Sequence, residues 1–521
     1  MTPVLGSGAR AGPATGPPPE RREPPTVTER AAASPDTTGD APEKLDRRLY
    51  LLTLTVVAGV IMSVFDTTVV IVALDELSRQ LDAPLSTVQW VVTAYLLALA
   101  VVIPLSGWAA DRYGARTAWI AAVAGFTAGS VLSGLAWNIE SLIAFRVVQG
   151  LAGGMMMPVG QALLVTSAGP RRMGRVMGIL GVPMVLGPVL GPILGGLVVQ
   201  EVGWRWIFFV NLPTGLVALA LALTLLPATA PARKVRRLDL PGLALLCGGL
   251  VAILYGLSRA ASAGGFTGAP TIACLAAGIA LLVGFTAHSR GRGDAAIIDV
   301  RLYANKVFAA ASANTLLLAA AMYGALLLLP LYFQSVRGHG AFDTGLLLMP
   351  LGLGAATAMP IVGRLTDRLG ARRPMLLGLG CALLGTLAYT QMGPDTGYPL
   401  LAAALYVSGL GMGGTMTPNM VATYISLPRS DVPRASSAYG IQRQVGASFG
   451  AALYAVVLSR NIERHLDGGP PDPAKLTAAF NDTFWLAFVL TATMLGTALL
   501  LPMRAPATVP PRATPEKPAP V

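Results

Sequence analysis

The stretch Gly107-Trp108-Ala109-Ala110-Asp111-Arg112-Tyr113-Gly114-Ala115-Arg116 returns later in the chain as Gly363-Arg364-Leu365-Thr366-Asp367-Arg368-Leu369-Gly370-Ala371-Arg372. Six of the ten positions are identical, and the copies lie 256 residues apart (363 minus 107). Each copy is a short charged segment between two long apolar blocks. Blocks of about 20 apolar residues separated by charged turns are the pattern of helices that cross a bilayer. Outward from the two copies the pattern repeats until fourteen blocks are counted, over 49–74, 87–110, 117–136, 141–166, 175–200, 206–227, 240–260, 269–289, 306–335, 344–363, 374–392, 400–426, 435–458 and 482–503. If blocks 1–6 and 9–14 are two parallel sets, each copy follows the second helix of its set, a known plan for transporters. Blocks 7 and 8 are then an inserted pair, which explains the wide separation of the copies.

Composition agrees with this reading. Of 521 residues, 54% are hydrophobic and 12% charged, about half the usual charged share of a soluble protein. A water-exposed multidomain enzyme is excluded, because so apolar a chain could not hide its surface. The net charge of +12 does not point to nucleic acid: the basic residues sit between apolar blocks, without interleaved aromatics or a folded basic domain. The three cysteines, Cys247, Cys274 and Cys381, all lie in apolar blocks, which argues against a disulfide framework or a cysteine-ligated metal.

Short loops set orientation through their lysines and arginines. With the N-terminus inside, the inner loops hold nineteen basic residues, from Arg112 and Arg116 through Arg171, Arg172, Arg175, Arg233, Lys234, Arg236 and Arg237 to Arg429 and Arg434. The outer loops hold seven: Arg79, Arg205, Arg259, Arg337, Arg460, Arg464 and Lys475. Both termini are therefore expected in the cytoplasm. The expected organisation is a disordered tail over 1–48, a six-helix half over 49–227, the inserted pair with its loops over 228–304, a second six-helix half over 305–503, and a second disordered tail over 504–521. The tails are rich in proline, alanine and charge, and they lack the apolar content to fold.

Charges inside the blocks mark candidate sites. An arginine at membrane depth costs at least about 2.5–3.5 kcal/mol on insertion scales unless paired, so Arg146 in the fourth block should face the bundle interior with a partner. Asp66 is the one carboxylate inside a block and away from its ends by these boundaries. Desolvation disfavours the charged form of a carboxylate, which makes Asp66 a candidate proton carrier. Arg443 is the third internal charge, open to pairing with a substrate carboxylate or with backbone carbonyls. In the repeat copies, Asp111 can receive a helix end or an arginine from the other half, and Gly114 permits a tight turn.

The residues 107–116 resemble the signature loop between the second and third helices of the major facilitator superfamily. There the copies would form a cytoplasmic gate of Gly107, Asp111, Arg112, Gly114 and Arg116 with Gly363, Asp367, Arg368, Gly370 and Arg372. The match departs at Ala109 and in its single Arg116. Arg146-Val147-Val148-Gln149-Gly150 is similar to the fourth-helix motif of proton-coupled members. Gly187-Pro188-Val189-Leu190-Gly191-Pro192-Ile193-Leu194-Gly195-Gly196 looks like the fifth-helix motif of antiporters. Phe65-Asp66-Thr67-Thr68 resembles the first-helix motif of the fourteen-span drug:proton antiporter family (EmrB/QacA type), although Asp75 stands where members usually have proline. Trp204-Arg205-Trp206 through Pro213, Pro330-Leu331-Tyr332-Phe333-Gln334 and Arg443-Gln444-Val445-Gly446 extend the likeness from 49 to 503.

That resemblance implies an all-α integral membrane protein of the major facilitator fold with fourteen transmembrane helices, in a bacterial inner membrane. It implies export of amphipathic small molecules by alternating access, with proton coupling through Asp66 and Arg146. Tyr95, Gln149, Gln334, Asn314 and Arg443 are the candidates for the substrate cavity. No cofactor is expected beyond the proton gradient, and the partners expected are neutral or monocationic amphipathic compounds, protons and the lipid bilayer, with the chain acting as a monomer. A symporter or metabolite carrier on the same fold, and a membrane sensor or assembly subunit without transport, remain alternatives. Gly409-Leu410-Gly411-Met412-Gly413-Gly414 fits a dinucleotide pattern but lies inside an apolar block without a preceding strand, so its context fails. His288, His339 and His465 have no metal-like spacing.

Overall fold

The computed structural model describes residues 45–227, 238–262, 265–466 and 472–502. The expected tails, except for 45–48, and the basic cluster Arg233–Arg237 lie outside the described residues. Regular structure among the described residues is helical, with fourteen long helices: α1 (Arg47–Val72), α2 (Trp90–Tyr113), α3 (Ala115–Gly134), α4 (Ile139–Ala168), α5 (Met173–Glu201), α6 (Asn211–Leu225), α7 (Leu240–Ser262), α8 (Ala269–Arg292), α9 (Lys306–Ser335), α10 (Ala341–Leu369), α11 (Arg372–Tyr389), α12 (Tyr398–Ile425), α13 (Val432–Leu466) and α14 (Pro473–Ala498). Thirteen of the described helical spans are long and apolar enough to cross a membrane. The exception is α11, whose 18 residues open on Arg372 and Arg373.

Local chemistry explains where these helices begin. Asp46 is extended, and its Oδ1 accepts from the Leu49 N–H at 2.6 Å, so α1 starts at Arg47, inside the stretch expected as tail. Asn138 and Ser141 form a reciprocal capping box at the start of α4. Asn305 caps α9 through the Val307 and Phe308 N–H groups. In both repeat copies the helix stops at a left-handed glycine, Gly114 at φ 84° and Gly370 at φ 78°, a conformation only glycine adopts without steric cost. Leu216, Val217, Ile279, Val283, Leu377 and Leu384 are among the exposed apolar side chains, which a bilayer covers and water would not.

The repeat extends well beyond its ten signature residues. Gly150 of α4 lies against the Tyr95 carbonyl of α2, and Gly409 of α12 lies against the Leu351 carbonyl of α10. Gly129 of α3 meets Gln149, as Gly385 of α11 meets Ser408. The second and third helices therefore correspond at a spacing of 256 (351 minus 95) and the fourth at 259 (409 minus 150). The first set, α1–α6, and the second set, α9–α14, share one packing scheme. Between them in sequence, α7 packs on both α2 and α13, and α8 rests mainly on α7.

At the end carrying the repeat loops, one apolar cluster joins both sets, with Met156, Met177 and Trp119 beside Met359, Met420 and Tyr439. At the opposite end the sets have separate cores. One contains Val70, Leu77, Val91 and Phe208. The other contains Tyr332, Phe333, Tyr389 and Phe484, with Val189 of α5 as its first-set member.

Candidate functional site

The buried polar chemistry of the first set converges on Asp66, six residues before the end of α1 and so about 9 Å from it along the axis. Arg146 comes from α4, where it lies eight positions into the helix. Its Nη1 donates to Asp66 Oδ2 at 2.5 Å, and both side chains are 0% exposed. The same Nη1 donates to Gln149 Oε1 at 2.8 Å, while Gln149 Nε2 donates to Asp66 Oδ1 at 2.9 Å. Arg146 Nε donates to the Val91 carbonyl at 3.2 Å. The guanidinium lies over the Tyr95 ring, with Cζ 4.0 Å from its centroid and 5.7 Å from that of Phe208, as cations pack on aromatic faces. Arg146 Nη2 has no hydrogen-bond partner. A one-turn spacing on α4 puts Arg146 and Gln149 on the same face, and together they hold both oxygens of one carboxylate.

A second constellation lies at the repeat-loop end. Asp367 Oδ1 accepts from the Gly174 N–H at 2.6 Å, and its Oδ2 accepts from the Arg175 N–H at 3.3 Å and Nε at 3.1 Å. A carboxylate at a helix N-terminus is favoured by unpaired N–H groups and by the helix dipole, so Asp367 ties α10 to the start of α5. Gly363 and Gly174 approach so closely that a Cβ on either would overlap the other's carbonyl. The other copy touches α13 in the corresponding way: Ser106 Oγ lies 2.9 Å from Ser437 Oγ, the Gly107 N–H donates to Ser437 Oγ at 3.0 Å, and a Gly107 Cβ would reach the Pro433 carbonyl at 3.0 Å. Pro433 and Arg434 stand 259 residues after Gly174 and Arg175 (433 minus 174). Tyr424 Oη donates to Gln161 Oε1 at 3.0 Å, also between the sets.

The major facilitator superfamily model matches residues 56–451. The chain belongs to the major facilitator superfamily. It is 41% identical over 420 residues to a multidrug resistance protein B homolog of Mycobacterium tuberculosis, covering 80% of this chain and 78% of that one. It is 31% identical to the tetracenomycin C resistance and export protein of Streptomyces glaucescens, over 78% of this chain and 76% of that one. Among solved structures, the proton:xylose symporter XylE aligns over 86% of this chain and 96% of its own, with 17% identity and a TM-score of 0.58. At that identity the likeness concerns the fold alone.

The fifth helix packs on both sets. Gly187, Gly191 and Gly195 of α5 press on Val64, Thr68 and Val69 of α1, on either side of Asp66 in sequence, and added Cβ atoms would overlap those side chains. Other α5 residues, Leu186, Val189 and Ile193, face Gly352 and Gly345 of α10. The helix stays continuous through Pro183, Pro188 and Pro192, while a Cβ on Gly196 would meet only Val72 from another helix within 4 Å among the described residues. Thus α5 touches the acid-bearing helix from its midpoint onward and Asp367 at its start, the nearest of these contacts about 20 Å apart over thirteen residues (187 minus 174).

The cavity candidates separate. Tyr95 and Gln149, expected in the cavity, are instead fully buried around the ion pair, where the charge of Arg146 draws them. Asn314 is buried in the second set, with Oδ1 accepting from Thr497 at 2.6 Å. Gln334 is exposed near the end of α9. Neither Asn314 nor Gln334 is among the residues lining the cleft at Arg443 or the apolar cavity beside it. Arg443 does, in a cleft with Met184 of α5, Thr315, Met322, Tyr323, Met416 and Tyr439. Of the gate candidates, Arg112 and Arg368 are exposed, and Arg116 donates to the Leu223 carbonyl at 2.5 Å, anchoring α6. The Arg372 N–H donates to the Pro502 carbonyl at 3.4 Å. Asp75 is exposed in the first turn of a short helix, Leu74–Gln80, where the helix dipole favours it.

Sequence reading missed Arg175, Ser106, Ser437, Gln161 and Tyr424 as partners of the gate. Arg175 and Arg434 were visible only as topology charges, although the repeat register carries one onto the other. A lone Gln161 in an apolar run was the available signal for the fourth contact.

Proposed function

We propose that this chain is a proton-coupled exporter of amphipathic drugs and antibiotics, working by alternating access in a bacterial cell membrane. Fourteen spans, with α11 as the eleventh, form two six-helix halves and an inserted pair, with both termini and the repeat loops in the cytoplasm. The observation that carries this reading is a sealed carboxylate–guanidinium pair in one half together with a closed set of contacts at the far end of the same fold. The names of its relatives, resistance and export proteins, point to the same class of cargo.

Chemically, the proton and Arg146 compete for Asp66. Ionised, the carboxylate satisfies Arg146 and Gln149; protonated, it leaves a buried guanidinium without its counter-ion, so α1 and α4 must re-pack. Since α5 packs on α1 and reaches Asp367, that re-packing is passed to the gate. Protonation from outside releases cargo, and loss of the proton to the cytoplasm resets the cycle. One charge crossing about 150 mV supplies about 3.5 kcal/mol, enough for a cargo gradient of a few hundred-fold.

The test is expression in a pump-deficient bacterial host with ethidium and puromycin as probes. Ethidium accumulation should fall, and a protonophore should restore it. Unchanged accumulation of both probes would overturn export, and export indifferent to the protonophore would overturn proton coupling.

A further inference from the structure

The cleft between the sets holds one formal charge, the guanidinium of Arg443. It lies eleven residues into α13, about 17 Å from the gate end along the helix. Its Nη1 donates to Tyr323 Oη at 3.4 Å, and its Nε is buried without any partner. Among the described residues Arg443 makes no ion pair, and no carboxylate lines the cleft. Arg146, by contrast, has its charge paired with Asp66. An arginine at membrane depth is costly unless something neutralises it. The guanidinium fork is shaped to bind a carboxylate, sulfonate or phenolate through paired N–H groups. Beside it, Met184, Met322 and Met416 supply adaptable apolar contact, and Leu318 and Met322 continue into a neighbouring cavity of about 70 Å³ walled by Leu326, Leu329, Phe484 and Met494. A cation placed here would meet like charge in a site with little water to screen it.

We propose that Arg443, with Tyr323 and Tyr439, is an anion-recognising subsite of the transport cavity, and that among amphipathic cargoes this exporter favours aromatic compounds bearing a single negative charge. The inference rests on the efflux reading above and narrows its cargo. The anionic group pairs with Arg443, and the aromatic body lies along Met322 and Leu318 toward the apolar cavity. Neutral analogues use the apolar wall alone and gain nothing from the arginine.

The experiment uses the full chain in inside-out membrane vesicles with two probes sharing one skeleton, 1-anilinonaphthalene-8-sulfonate and uncharged N-phenyl-1-naphthylamine, and with ethidium as the cation. The wild type should transport the sulfonate with the lowest half-saturating concentration. Arg443→Gln should raise that value at least tenfold, the scale of one lost charge-assisted bond pair, and leave N-phenyl-1-naphthylamine within twofold. Arg443→Lys should recover part of the loss. Transport of the neutral probe or ethidium without the sulfonate would overturn the proposal and leave export standing. Equal loss of all probes in Arg443→Gln would make the arginine structural and also overturn it. Transport of none of the three by the wild type would overturn the efflux reading and this inference together.

Discussion

Asp66→Asn removes the counter-ion of a guanidinium that has no access to solvent, and the structure sets the size of the effect. Both side chains are 0% exposed, so Arg146 loses its charge partner and keeps only Gln149, the Val91 carbonyl and the Tyr95 face. Breaking a buried pair by deleting one partner costs about 3–5 kcal/mol. Deleting both, in Asp66→Asn with Arg146→Gln, leaves amides that hydrogen-bond with Gln149 and no orphaned charge, and buried pairs replaced as pairs are often close to neutral. The double variant should therefore recover most of the loss, with a coupling energy of about 2–4 kcal/mol across the cycle. Read as thermal unfolding, the single variant should fall by about 3–5 °C, from the per-residue entropy of unfolding scaled to this length.

Stability alone would not distinguish a strut from a proton carrier; transport does. Ethidium export driven by an imposed pH gradient should fail in Asp66→Asn and remain lost in the double variant, although the latter has regained its stability. Downhill ethidium movement should persist in the double variant, because the halves still close. If the double variant exports against a gradient as the wild type does, the pair is a structural strut and Asp66 carries no proton. If the single variant shows no loss of stability, the sealed geometry argued for the pair is itself wrong.

Two further outcomes follow from the gate and one from the cavity assignment. In a background lacking Cys247, Cys274 and Cys381, the pair Ser106→Cys and Ser437→Cys, whose hydroxyls lie 2.9 Å apart, should cross-link on oxidation and stop ethidium export, with reducing agent restoring it; cross-linking without inhibition would refute a moving gate. Gly363→Val, which forces a side chain into the Gly174 carbonyl, should reduce export at least tenfold at normal expression, whereas Gly380→Ala, with nothing within 4 Å, should leave it unchanged. Gln334→Ala should change export of any probe by less than twofold, since the residue is exposed at the end of α9; a larger effect would return it to the cargo path.

What sequence revealed and what it hid divide along a physical line. The helices other than α11 were legible as crossings because lipid demands about 20 apolar residues per crossing, a signal that tertiary packing does not overwrite. Asp66 and Arg146 stood out because charge at that depth is expensive, and the chain offers few such residues. Their joint use of Gln149 was hidden, since a glutamine in a helix carries no mark of which neighbour it meets. Tyr95 and Gln149 looked like cargo contacts for the same reason: polarity in an apolar block says that a partner exists and not which one. The gate was half visible. Asp367 could be read from the repeat, but Arg175 and Ser437 could not, because their role depends on a helix start from the other set arriving within bonding distance.

The repeat register gives the two sets different tasks. At a spacing of 256, Tyr95 corresponds to Leu351 and Ser133 to Tyr389; at 259, Gln149 corresponds to Ser408. In the first set these positions make or support a closed ionic network around Asp66 and Arg146. In the second, Leu351, Tyr389 and Ser408 line the apolar cavity of about 70 Å³. The same packing scheme thus encloses a charge pair on one side and a void on the other. A buried charge pair tolerates no vacancy, since each missing bond leaves an uncompensated ion, while an apolar wall with methionine in it accommodates varied shapes at modest cost. Selectivity for the proton and indifference to cargo shape are conflicting demands on one pocket. If, as proposed, the ion pair carries the proton and the apolar cavity takes cargo, placing them in corresponding parts of two halves linked through α5 removes the conflict and lets the cargo side vary without disturbing the ion side.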